Sequence, residues 1–213
     1  MPASRRRLVA PLAITLAGGL SVAGCAAPAR TAPAPATAEA APSPSALPVA
    51  APDGAVDGAA DAVIALVIER LETAPQVAAS KLFSGQPVTD AVREQVVIDA
   101  AASAATDAGA DVAYVTAVFA DQITASKEVQ QALLDGWAAE PSAAPTTAPD
   151  LATEVRPVLD RITTELVPAL ATLQAFRDDA GCAAAVDDAQ TATPAMSAEV
   201  AAALPTAVAS LCD

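Results

Sequence analysis

The residues of this chain with a clear chemical use are a few cations. From Asp57 onward the basic residues are Arg70, Lys81, Arg93, Lys127, Arg156, Arg161 and Arg177. The whole chain carries a formal net charge of -14, so its overall field repels anions. An anion can be held only where several cations converge locally. Arg70 and Lys81 are eleven residues apart, about three helical turns, which places them on one side of a single helix. Asp90, Arg93, Glu94 and Val97 follow at i, i+3, i+4 and i+7, one face of a second helix. Ser126 and Gln130 are i,i+4 partners on a third, and Arg156 opens a fourth. Packed as a bundle, these helices would bring Arg70, Lys81, Arg93, Ser126, Gln130 and Arg156 to one place. A lone Arg or Lys on an amphipathic helix is ordinarily a solvated side chain. Lys127, Arg161 and Arg177 are therefore assigned to the surface, and Trp137 to core or helix-end packing.

The composition removes other chemistries. The chain contains no histidine, hence none of the usual general base, catalytic triad or commonest metal ligand. Its 3 cysteines do not make a thiolate zinc site. The acidic balance argues against nucleic-acid binding, which needs a basic footprint. No metal and no cofactor are expected.

The elements that must position the cations read as helices, because the many valines recur at helical spacing. A first helix is expected from about Asp57 to Phe83, weakened or kinked at Pro75. Ser84-Gly85-Gln86-Pro87 breaks the chain, and Thr89 caps a second helix to about Ala108. Gly109 ends it. Asp111 caps a third helix, to about Trp137, followed by a Pro/Ala/Thr loop over 141–149. A fourth runs from near Asp150 to about Asp178, with Pro157 near its start and Pro168 as a bend. Gly181-Cys182 opens a short helical piece, and Ser197 to Leu211 forms the last. Six helical segments and no strand give an all-α fold, a single helical-bundle domain over 54–213.

The residues before 54 read differently. Arg5, Arg6 and Arg7 precede an apolar run over Leu8–Gly24, the pattern of a signal peptide, 1–24. Val22-Ala23-Gly24-Cys25 resembles a bacterial lipobox, with cleavage before Cys25 and lipid on its sulfur; the alternative is ordinary cleavage leaving a free thiol. The Ala/Pro-rich stretch 25–53 cannot bury a core and is expected to be a disordered tether. Cys182 and Cys212 remain, and in an exported protein they should pair, the alternative being two buried thiols.

Arg70, Lys81, Asp90 and Arg93, then Ser126 and Gln130, give the chain its resemblance. The ordered set is similar to that of the all-helical chorismate mutases, and within them to the exported class. It extends over about 57–161 and is strongest over 68–93 and 114–137. Glu94 fits some members, and the Cys182…Cys212 pair fits the exported class, which carries a disulfide there. Val97 stands where exported members can have glutamine, Gln130 where several have glutamate, and Arg156 aligns only with a one-residue insertion. The resemblance implies rearrangement of chorismate to prephenate, with no nucleophile, metal or proton transfer. It implies that Arg70, Arg93 and Arg156 clamp carboxylates, and that Lys81 and Gln130 donate to the breaking ether oxygen. Asp90, Glu94 and Ser126 would position the ring hydroxyl or the carboxylates. It also implies a homodimer. Signal and lipobox together place the protein outside the cytoplasm, anchored to the membrane at Cys25 or free as a periplasmic or extracellular protein. The alternatives are an isochorismate pyruvate lyase on the same fold and a non-catalytic helical envelope lipoprotein, the latter favoured by Val97.

Overall fold

The computed structural model describes residues 54–193 and 195–213; the expected signal peptide 1–24, the expected lipidation site Cys25 and the expected tether 25–53 lie outside them. The described residues form seven α-helices and no strand: α1 (Ala55–Leu71), α2 (Ala74–Ser84), α3 (Ala91–Ala108), α4 (Val112–Ala139), α5 (Arg156–Leu173), α6 (Cys182–Ala192) and α7 (Ala198–Ala207). The fold is all-α, as expected.

The first expected helix is two. Pro75 is the cause: its ring would collide with the carbonyl of Leu71, so the helix cannot run through. α1 stops at Leu71, and Thr73 donates its hydroxyl to the Arg70 carbonyl at 2.8 Å. Pro75 falls in the first turn of α2, where its missing N–H is no loss. Arg70 and Lys81 thus sit at the ends of successive helices, not along one. Gly85 ends α2 and Gly109 ends α3, each at φ 67, a left-handed conformation that suits glycine. The cap of α3 is Asp90 rather than Thr89. Asp111 caps α4 as expected, accepting from the N–H groups of Ala113 and Tyr114 at 2.8 and 3.1 Å.

Asp150 starts the next element, but its first turn, Leu151–Val155, is wide: Arg156 N–H donates to the Leu151 carbonyl, five residues back. Pro157 has no N–H for the Thr153 carbonyl, which removes the bond an α-turn would need there. α5 then runs regularly and holds Pro168 inside it.

α1 and α4 form the centre. α1 packs on α5 and α6, and α4 on α2, α3 and α7. Val63, Ile64, Val67 and Leu71 of α1 meet Val115, Val118 and Phe119 of α4 and Ile162, Leu166 and Leu170 of α5 in one core, each essentially without exposure. α3 is the exception. It buries only Ala101 and Ala105, both in its second half. In its first half only Val97 and Ile98, both partly buried, pack on the core, and Val92 is 78% and Val96 49% exposed. That sparse packing leaves the space in which the polar residues gather.

Candidate active site

Arg70, Lys81, Asp90, Arg93, Glu94, Ser126 and Gln130 line one cavity of about 150 Å³, with Val77, Val88, Val97, Ile123 and Lys127. Four helices supply them: the end of α1, the end of α2, the start of α3 and the middle of α4. The cavity meets a larger one of about 790 Å³ along Val77, Lys81, Asp90 and Arg93.

Arg70 lies with its guanidinium carbon 5.4 Å from the centre of the Phe119 ring. Among the described residues neither Arg70 nor Arg93 has a carboxylate within ion-pair distance. Burial, and after it the charge of Arg93, pushes the Arg70 guanidinium down to about 10. It remains charged at neutral pH, and the repulsion marks a place where an anion would be welcome.

Lys81 reaches across to the α2–α3 loop and donates to the carbonyls of Pro87 at 2.6 Å and Val88 at 2.8 Å. An ammonium has three N–H donors, so one is left for a ligand. Desolvation pulls the pKa of Lys81 below its ordinary value, while Asp90 and Glu94 pull it back.

Asp90 and Glu94 are bound up with the helix they begin. Asp90 accepts from the N–H of Arg93 at 3.0 Å, and Glu94 accepts from the N–H of Asp90 at 3.1 Å. This reciprocal cap closes the first turn of α3 and fixes the backbone that carries Arg93. The other oxygen of Glu94 accepts from Lys127 at 3.0 Å.

On α4, Gln130 is 5% exposed. Its amide donates to the Ser126 hydroxyl at 3.1 Å, and its Oε1 is buried with no partner among the described residues. A half-turn of the amide would let the Ser126 hydroxyl donate to Oε1 and would turn both N–H groups away from it.

Two assignments change. Arg156 does not line the inner cavity: it is exposed and lies on the wall of the larger one, beside Leu151, Val155 and Leu159. The wide turn before α5 and the start of α5 at Arg156 itself keep it at the rim. Lys127, assigned above to the surface, lines the inner cavity and is paired with Glu94. Spacing alone held a signal for it, since Lys127 follows Ser126 and is i−3 to Gln130. The apolar walls, Val77, Val88 and Ile123, were not singled out by any sequence signal.

A family profile described as chorismate mutase type II matches residues 54–131. The fold superposes on the crystal structure of a chorismate mutase from Burkholderia phymatum with a TM-score of 0.68, at 37% identity, covering 75% of this chain and 99% of that one. The chain belongs to the chorismate mutase family. A second chorismate mutase structure, from Burkholderia thailandensis, gives a TM-score of 0.67 at 37% identity, over 75% of this chain and 100% of that one. The profile match contains every residue from Arg70 to Gln130 and stops short of Arg156. Two curated relatives in the chorismate mutase family carry the name secreted chorismate mutase. One, from Mycolicibacterium smegmatis, is 42% identical over 103 residues, 48% of this chain and 56% of the relative. The other, from Mycobacterium tuberculosis, is 30% identical over 122 residues, 57% of this chain and 61% of the relative. The chain thus spans somewhat under two thirds of the length of these curated relatives.

Proposed function

We propose that this protein is an exported chorismate mutase that rearranges chorismate to prephenate in the inner cavity. The observation that supports it most is the convergence of Arg70, Lys81, Arg93, Ser126 and Gln130 from four helices on one small cavity. The reaction is intramolecular: one C–O bond breaks as one C–C bond forms, and no atom enters or leaves. A protein can accelerate it by holding the compact conformer and by stabilising the negative charge that develops on the ether oxygen. Arg70 and Arg93, which have no carboxylate partner among the described residues, take the two substrate carboxylates. Lys81 gives its remaining N–H to the ether oxygen, and the turned amide of Gln130 gives another. Ser126 holds that amide. Asp90 and Glu94 set the first turn of α3 and face the ring hydroxyl. Arg156, at the rim of the outer cavity, attracts the dianion on its way in.

Export rests on the Arg5–Arg7 signal pattern, on the relatives named as secreted, and on the disulfide that the structure forms between Cys182 and Cys212, a bond that persists in oxidising compartments. Lipidation at Cys25 and a homodimer belong to the same proposal; the exposed Leu82, Phe83, Val92 and Val96 are the surface the dimer would cover. The test is direct. The purified protein is given chorismate and, separately, isochorismate, with no cofactor added. Prephenate from the first and no pyruvate from the second is the expected result. Pyruvate release would assign it as a lyase, and tight binding of a bicyclic diacid without turnover would make it a binding protein.

A further inference from the structure

We infer that Lys127 is a positioning residue of this site and acts through Glu94. The inference rests on the activity proposed above, and its observations are geometric. The Lys127 ammonium donates to Glu94 at 3.0 Å, with the two side chains 28% and 27% exposed. The same carboxylate accepts from the Asp90 N–H, while Asp90 accepts from the Arg93 N–H. A continuous path of hydrogen bonds therefore runs from α4 through Glu94 into the first turn of α3, and Arg93 sits in that turn.

The first turn of α3 has little else to hold it. The buried residues of the helix, Ala101 and Ala105, lie about two turns further on, and the partly buried Val97 and Ile98 meet the core only about one turn after Arg93 and Glu94. The other polar tie at this end is the grip of Lys81 on the preceding loop. Glu94, Lys127 and Ile123 also line a second cavity of about 310 Å³ on the outer side of the α3–α4 seam. The ion pair is thus the partition between the inner cavity and that outer groove. It closes the seam and keeps Arg93 in register with Ser126 and Gln130 across the cavity.

The pair has an electrostatic consequence as well. Glu94 puts a carboxylate into the wall of a cavity meant for a dianion. Lys127 offsets that charge locally, so Glu94 can cap α3 without repelling the ligand. Removing the lysine alone leaves the carboxylate uncompensated and the seam open.

The test is a double-mutant cycle on the full-length protein, Lys127→Met and Glu94→Gln singly and together, with kcat and KM for chorismate and amide exchange of α3 measured on each. Lys127→Met should raise KM about fivefold and change kcat less than about twofold, the size expected for a contacting pair. In the Glu94→Gln background the same lysine change should move KM less than about twofold, because the charge it offset is gone. Lys127→Arg should restore the wild-type KM. In Lys127→Met the amides of Arg93 and Glu94 should exchange faster than in the wild type. An unchanged KM overturns the inference. So does an equal rise in both backgrounds, which would mean that Lys127 touches the substrate itself, and so does unaltered exchange in the first turn of α3. If the wild type made no prephenate, the proposed activity would fall, while the exchange comparison would still decide whether Lys127 pins α3.

Discussion

Gln130 stands where several exported family members carry glutamate, and the difference has a consequence for pH. An amide does not titrate, whereas a carboxyl must be protonated to donate to the ether oxygen. The wild-type rate should therefore be flat over roughly pH 5 to 8. It should fall on the alkaline side, as Lys81 loses the proton it needs. Desolvation sets the pKa of Lys81 below its ordinary value, so that fall begins earlier than for a free lysine. Gln130→Glu should work in acid and fail toward neutrality, because burial raises a carboxyl pKa and the site is 5% exposed. Gln130→Ala should lose ~3 kcal/mol of transition-state stabilisation at every pH, as for the loss of an oxyanion donor. Initial rates against pH for the three proteins decide it; a wild type already falling between pH 5 and 7 would remove Gln130 from the ether oxygen. Gln122, two turns earlier on α4, is a contrasting case. It is 1% exposed, and both its amide atoms lack partners among the described residues. Replacing a buried, unpartnered polar group with an apolar one of similar size relieves its desolvation cost. Gln122→Met should accordingly stabilise the fold by about 1–3 kcal/mol in urea unfolding, with little change in turnover.

Helix ends do the positioning in this protein, and the cap of α3 is the clearest example. Asp90→Ala removes the acceptor for the Arg93 N–H and should cost about 1 kcal/mol of stability; KM should rise with it, because Arg93 lies in the loosened turn. Asp90→Asn keeps the cap and should keep the stability. If the two variants melted alike, capping would not be what Asp90 contributes. Such ends were largely legible in the chain, since Gly85, Gly109, Asp111, Asp150 and Ser197 mark boundaries by backbone or side-chain chemistry that acts locally. Which helix a residue lies on was less so. Arg70 and Lys81 do line one cavity, but the spacing put them along a single helix, and the steric effect of Pro75 on Leu71 divided it. Arg156 was placed too far inward, because the widened turn at Leu151–Val155 has no pattern in an Ala/Val-rich sequence. Lys127 was placed too far outward, because a single lysine gives no sign of its partner 33 residues away.

At the scale of the molecule, the site and the tail occupy opposite sides of α4. The tail is fastened there by several separate contacts. Cys182 and Cys212 are bonded, with Cα atoms 5.9 Å apart. The Tyr114 hydroxyl donates to the Leu211 carbonyl at 3.1 Å, the Ser210 N–H donates to Asp121 at 3.0 Å, and the Thr206 hydroxyl donates to Glu128 at 3.0 Å. Arg177 lies over the Tyr114 ring at 5.2 Å. α6 and α7 contribute no residue to the inner cavity; they complete the core behind it. The disulfide spans a sequence separation of 30, and closing such a loop restricts the unfolded chain by about 3–4 kcal/mol. Reduction should lower the melting temperature by roughly 10 °C for a domain of this size. Well below that temperature the reduced protein should keep its kcat and KM, because Tyr114, Asp121 and Glu128 still hold the tail and every proposed site residue precedes Cys182. The measurement is thermal unfolding and initial rate on the same sample, with and without reductant, and with the Cys182→Ser/Cys212→Ser double variant as a control against reagent effects. A drop in turnover at 25 °C that matched the change in stability would mean that the tail shapes the cavity directly and that site and scaffold are not separable across α4.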